Sequence, residues 1–379
     1  MIIRIILVYF LGLLYSSLSW ASDHEPLSAS SELDKHKKLE ATVMNQNIPL
    51  EKRIKALKTL YSHLTTNGRI TRHICIWDPL GKSGPIANTV EDQALRSLHY
   101  GMDLEVSIFN NERELVQNFK TETTCDAILI RGAVAMEFNK FSGTIEAVGA
   151  LPERKHLQLL MQVFTSPKMN RFMSDGQYTV MGVATIGGNY AFMDDKSFKS
   201  LSSIKNKRVA VQTVEPGMRA LTKKFGAVPV EGDMMANVQS YADNNVVSML
   251  SPAIAYLVMG SGQISSDTGV LRNPISQSTM QFIGRSELFP DPLAQMLRED
   301  FLLKFDNYSA RVDKEMALVP EDFWIETPDS ETEKLSEATR EVRIALRDEG
   351  YYDATMLRIA RKIRCKFNPE RSECINPTE

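Results

Sequence analysis

The run from Tyr178 to Met193, YTVMGVATIGGNYAFM, constrains the fold more than any other feature of the chain. It is rich in β-branched and aromatic residues, which favours a strand, yet it far exceeds the common strand length of about 5–6 residues. Gly187 and Gly188 interrupt it, and paired glycines inside a strand mark a bulge or bend. A strand that bends while passing from one sheet to another suits the joint of a two-lobed molecule, so Gly187 and Gly188 are the candidate hinge. Length agrees, since 379 residues exceed what one compact core usually holds.

On both sides of this run, strand and helix alternate. Before it, 74–77, 104–109 and 127–130 read as strands, with helices over 85–98 and 112–119. After it, 208–212 and 246–250 read as strands, with helices over 217–225, 235–243 and 252–259. That alternation specifies an α/β fold with parallel sheets. The unbroken apolar character of 74–77 and 127–130 suits sheets covered on both faces. Residues 279–284 read as a return strand, and 329–366 as an amphipathic helical tail broken near Gly350. The expected organisation is a signal peptide (1–21), a polar, mobile leader with a docking helix (22–71), lobe 1 (72–185), lobe 2 (186–285) and a helical region strapping the lobes (286–379).

The first residues combine Arg4, an apolar stretch over 5–14 and the small-residue pattern Ser19-Trp20-Ala21, which reads as a secretory signal cleaved after Ala21. The apolar stretch is well short of the roughly 20 residues a spanning helix needs. The mature chain is therefore expected in an oxidising, periplasmic space. Cys75, Cys125, Cys365 and Cys374 form an even set that such a space can pair. Asn368-Pro369 is a turn signal able to bring Cys365 to Cys374. That leaves Cys75 with Cys125, with two small buried thiols as the alternative.

Charge excludes one partner class. Lys and Arg number 44 against 47 acidic residues, interleaved throughout, so no basic field exists to hold a nucleic-acid backbone. No Gly-x-Ser-x-Gly, His-Glu-x-x-His, Gly-x-Gly-x-x-Gly or Cys-x-x-Cys pattern is present, so no catalytic residue, metal or cofactor is assigned. Gly81-Lys82-Ser83 ends like a phosphate loop but lacks the earlier glycine, because Ile76 stands in its place.

Open α/β sheets bind ligands at the carboxyl ends of their strands. Lys82 and Ser83 follow the first strand and precede a helix opening with Pro85, whose free N–H groups attract an anion. Arg131 ends the third strand, Gln212 and Thr213 precede a helix in the second half, and Ser251-Pro252 reads as a cap and first helical residue. With Asn189 and Tyr190 beside the hinge, these residues are the candidate site for a small polar solute, carboxylate-bearing if Lys82 sets the charge.

Several blocks also resemble a known family. Residues 204–211 (IKNKRVAV) are similar to the "DLKGLKIRV" strand of TRAP-transporter, DctP-type solute-binding proteins, and 225–229 (FGAVP) to their "LGANP". More closely, DPLGKSG at 78–84, FNKFSG at 138–143, AVGALP at 147–152 and the ending RCK…C from Arg364 resemble AdeT-type solute-binding proteins. The resemblance implies a two-lobe periplasmic binding fold of the TRAP DctP-like kind (type II), a cleft for a small solute and traffic with an inner-membrane transporter. It also implies one departure. DctP-type proteins clamp a ligand carboxylate with an Arg where this chain has Ala210, with Arg208 two positions away on the same face. The expected function is non-enzymatic capture of a solute for a membrane transporter. The alternative is an envelope accessory protein of an efflux or transport complex that keeps the fold without the ligand.

Overall fold

Strand β4, Tyr178–Met193, is the axle of the molecule, and the two halves are built along its length. The computed structural model describes residues 27–98, 101–122, 124–253, 255–259 and 265–379; the expected signal peptide lies outside the described residues. The other strands are β1 (Ile70–Trp77), β2 (Met102–Phe109), β3 (Ala127–Arg131), β5 (Arg208–Gln212), β6 (Val228–Gly232), β7 (Ser248–Pro252), β8 (Gly269–Leu271), β9 (Ser276–Arg285) and β10 (Trp324–Ile325). They form one sheet in the order β2-β1-β3-β9-β4-β7-β5-β6, with β8 against β4 and β10 against β8.

β2, β1 and β3 are parallel to one another, as are β7, β5 and β6. The antiparallel pair β9/β4 joins these two trios. Register places the lobes. β3 ends with Arg131 opposite Met280, which sits opposite Ala184 of β4. β7 runs the other way and ends with Pro252 opposite Asn189 of β4. The carboxyl ends of the two trios therefore face each other across residues 185–188 of β4. In that interval the register with β9 slips between Thr185 and Gly187, a β-bulge, and Gly187 adopts φ +98°. This left-handed backbone is what glycine permits without a Cβ penalty.

The segment expected as a mobile leader is instead helical over Leu27–Met44 and packs against the following helix, Leu50–Leu60, and against Asp291–Leu303. Ser251 and Pro252, expected to open a helix, both lie in β7; the helix begins only at Ala255. The tail forms Asp329–Asp348 and Ala354–Phe367. The first packs on Pro216–Lys224 of one half, the second on Arg154–Phe164 of the other. No described helix is long and apolar enough to cross a membrane.

Both cysteine pairs are bonded. Cys75–Cys125 ties β1 to the residues leading into β3, and Cys365–Cys374 closes a loop at the end of the tail. The chain-entropy model assigns about 4 kcal/mol to the first, whose sequence separation is 50, and about 2.5 kcal/mol to the second, whose separation is 9.

Candidate functional site

Arg131 occupies the gap between the facing strand ends. Glu112 opens the helix after β2 and is buried beside it. Its Oε1 accepts the Arg131 backbone N–H at 2.9 Å, and its Oε2 accepts Nε at 2.8 Å and Nη2 at 2.5 Å. The guanidinium lies 4.9 Å from the centre of the Trp77 ring, at the end of β1. Its Nη1 donates to Oε1 of Gln212, at the end of β5 in the other half. One side chain thus spans from the β3 end to the β5 end. Burial opposes its charge, but Glu112 foremost, then Glu215 and Glu146, more than offset that, and the pKa is raised.

Two further carboxyls stand around this arginine. Glu146 Oε1 accepts the backbone N–H of Thr279 at 2.5 Å and its hydroxyl at 2.7 Å. Glu215 precedes the helix after β5. Both are half-buried and neither forms an ion pair among the described residues. Burial is the main cause pushing Glu146 up to about 8 and Glu215 up to about 7.

The helix start expected to hold an anion already holds one. Asp78, fully buried at the end of β1, accepts Leu80 N–H at 2.9 Å through Oδ1, and Ile86 and Ala87 N–H at 2.8 and 3.0 Å through Oδ2. The amides of the Pro85–Ser97 helix are satisfied from within, and Lys82 and Ser83 point to solvent. The amides expected to meet a solute carboxylate are thus bonded to Asp78 in this structure. Thr213 is also exposed, with its hydroxyl 3.4 Å from the Gly232 carbonyl. Asn189, Tyr190 and Ser251 are buried. Asn189 donates to Ser276 Oγ at 3.0 Å, Tyr190 packs edge-on against Trp324, and Ser251 Oγ has no hydrogen-bond partner among the described residues. Of the eight expected site residues, Arg131 and Gln212 are brought into direct contact across the gap.

A cavity of about 460 Å³ opens from this point. At the gap it is bounded by Trp77, Arg131, Ile186, Met234 and Pro252, drawn from both halves. From there it follows β1 past Ile76, Ile74 and Ile70, beneath the Pro85–Ser97 helix and the Asp291–Leu303 and Phe305–Met316 helices, to the Leu50–Leu60 helix. Its volume lies within the range of about 300–1,000 Å³ common for ligand sites. Trp77, Glu112, Glu146, Glu215 and Met234 were not singled out from sequence. The only signal for Glu146 is a lone carboxyl inside the apolar stretch 145–151.

Comparison with known proteins decides what this architecture belongs to. The family model described as "Solute-binding protein AdeT 1/2" matches residues 58–379. The chain belongs to the AdeT 1/2 solute-binding protein family. "Probable solute-binding protein AdeT1" of Acinetobacter baumannii is 28% identical over 303 residues, covering 79% of this chain and 98% of that protein. Among solved structures, a TRAP periplasmic solute-binding protein from Desulfovibrio salexigens with bound orotic acid aligns with a TM-score of 0.64 at 11% identity, covering 78% of this chain and 99% of the other. One from Desulfovibrio desulfuricans with bound sn-glycerol-3-phosphate gives 0.63 at 15%, covering 78% and 97%. The fold is that of the two-lobe TRAP periplasmic solute-binding proteins.

Within this AdeT 1/2 chain, the strand position expected from the DctP pattern to carry a ligand-clamping Arg is closed. Ala210 is fully buried in a secondary core with Phe192, Val238, Tyr241 and Met249. Arg208 is exposed at the amino end of β5, whereas the gap lies at the carboxyl end, so it does not substitute.

Proposed function

We propose that this AdeT 1/2 family member is exported and holds its solute where the β1, β3, β5 and β7 ends meet, closing its lobes about the Gly187 bulge and delivering the solute to an inner-membrane transporter. The observation that carries the reading is the cavity bounded by residues of both halves, at whose end Arg131 of one half bonds Gln212 of the other. Trp77, Arg131, Met234 and Pro252 form the solute-facing end, with Gln212 held against Arg131. Lys82, Ser83 and Thr213, exposed at the rim, meet solute or partner during closure. The fold family and the family model support a binding role in the periplasm, and the reading assigns no reaction to the chain.

A thermal-shift screen of the mature chain tests it, since a molecule that binds only the folded state raises the melting temperature by mass action. A solute that shifts the wild type and fails to shift Gln212→Ala supports the reading; silence across a broad panel overturns it. A second reading, an accessory protein of a transport or efflux complex without a solute of its own, is favoured by one observation: Asp78 and Glu112 already fill the two places where an anion would bind. Copurification of a membrane partner with the empty protein would select it.

A further inference from the structure

The strongest clue to the class of solute is how the cavity disposes of its charges. Seven charged residues line it: Arg53, Lys58, Arg131, Glu299, Asp300, Arg311 and Glu315. Arg53 is bound bidentately by Glu299, at 2.6 and 3.0 Å. Arg311 pairs with Glu315 at 3.1 Å, Asp300 with Lys304, and Arg131 with Glu112. Lys58 is exposed at the outer end and hydrated. Among the described lining residues, no buried charge is therefore left without an ionic partner. A carboxylate entering at the gap meets an Arg131 whose charge is already balanced by Glu112, and helix amides already held by Asp78.

The remaining wall is apolar and long. Ile70, Ile74 and Ile76 of β1 and Leu104 of β2 form its floor, and Val90 and Phe301 part of its roof. Lining extends along β1 from Ile70 to Trp77, which at the rise of a strand is about 23 Å. An apolar space of this size forgoes dispersion contacts when empty and gains them when filled by hydrocarbon.

We propose that the solute is an uncharged, elongated, largely apolar molecule, such as the chain of a neutral lipid-like compound, lying along β1 with its end at Trp77 and Arg131. This rests on the binding role proposed above and narrows it from solutes in general to one class. Shape and charge both select against the compact organic anion: the cavity is far longer than such a molecule, and every lining cation except Lys58 at the exposed outer end already has a carboxylate.

The test uses the full mature chain, purified and delipidated, with three probes: 1-decanol, decanoate and succinate. Affinity is read by displacement of an uncharged, environment-sensitive fluorophore and by shift of the melting temperature. Decanol is expected to bind at least tenfold more tightly than decanoate, and succinate to give no shift. Val90→Trp, projecting into the cavity from the helix, should abolish decanol binding. Leu95→Trp, on the exposed face of the same helix, should leave it unchanged. If Val90→Trp does not fold, as judged by circular dichroism, Leu104→Trp fills the space from the opposite wall. Decanoate or succinate binding more tightly than decanol overturns the inference while leaving the binding role intact. A folded cavity-filling variant that still binds decanol overturns the assigned location. No binding by any of the three, with a positive hit elsewhere in a broad solute panel, overturns the class alone; no hit at all overturns both.

Discussion

Arg364 and Glu373 form a two-bond ion pair, Nε to Oε1 at 2.8 Å and Nη2 to Oε2 at 2.5 Å, between the residues that immediately precede the two cysteines of the Cys365–Cys374 disulfide. Both side chains are buried, and the third nitrogen of Arg364 donates to the Ala150 carbonyl at 2.7 Å in the lobe beneath. Arg343 joins the cluster from the other tail helix and donates to the Val148 carbonyl at 2.9 Å. The tail is thus fastened to 148–150 by two arginines whose charge is balanced within the tail. Burial pushes the Glu373 carboxyl up, but Arg364, then Arg343 and Arg371, more than offset this and hold it below the usual range. Its contribution is full above the unfolded carboxyl value of about 4.3 and is lost as pH falls through the lower folded value. Glu373→Gln should cost about 1.5–3 kcal/mol, because Glu379 alone is then left to balance the two buried guanidiniums of Arg343 and Arg364, and the urea midpoint reads that loss. A change under about 1 kcal/mol would show that the cluster is not shielded from water.

Asp78 is the counterpart in the first lobe, serving three backbone donors at once. Asp78→Ala should destabilise by at least about 2 kcal/mol through unsatisfied amides, measured by chemical denaturation. Asp78→Asn should cost less, since its one oxygen keeps part of the set. Gly84→Ala should resemble Asp78→Ala, because a Cβ there would fall 1.9 Å from Asp78 Oδ1 and push the carboxylate away.

The Arg131–Glu112 pair lends itself to a double-mutant cycle. Arg131→Met alone should cost about 3–5 kcal/mol by leaving Glu112 buried and unpaired. The double variant with Glu112→Gln should be less destabilised than the sum of the two single losses, by at least about 1–3 kcal/mol of coupling energy. Additive losses would mean that the two side chains do not share one electrostatic unit.

The secondary structure was legible where the local code and the tertiary setting agree. β5 over 208–212 and the β4 run have the bounds that their apolar patterns indicate, because buried strands write their burial into the sequence. β6 was not legible: it holds Pro229, is largely exposed, and qualifies as a strand only as the sheet edge beside β5. β8 and β10 are too short to carry a period. Leu27–Met44 was read as a leader because it is polar almost throughout, and its helix rests on packing against two later helices. The site was half legible. Strand ends pointed to Arg131 and Gln212, but whether a cation is free or already taken depends on partners distant in sequence. Glu112 lies 19 residues from Arg131, and nothing in the spacing announces the pairing.

The carboxyls around Arg131 should leave a signature in stability against pH. Glu146 and Glu215 titrate near about 8 and about 7 in the folded chain, both raised chiefly by burial, against about 4.3 when unfolded. Between those values the folded state binds more protons than the unfolded one, so stability is highest below about pH 4 on this account and falls as pH rises through about 7 and 8. Glu146→Gln keeps an oxygen to accept the Thr279 N–H and hydroxyl, and Glu215→Gln removes no hydrogen bond of its own. The double variant should therefore come closest to the wild type below about pH 4 and melt at a higher temperature near pH 8, with a flatter profile between. Parallel profiles for the two proteins would show that these carboxyls are as well hydrated in the gap as in the unfolded chain.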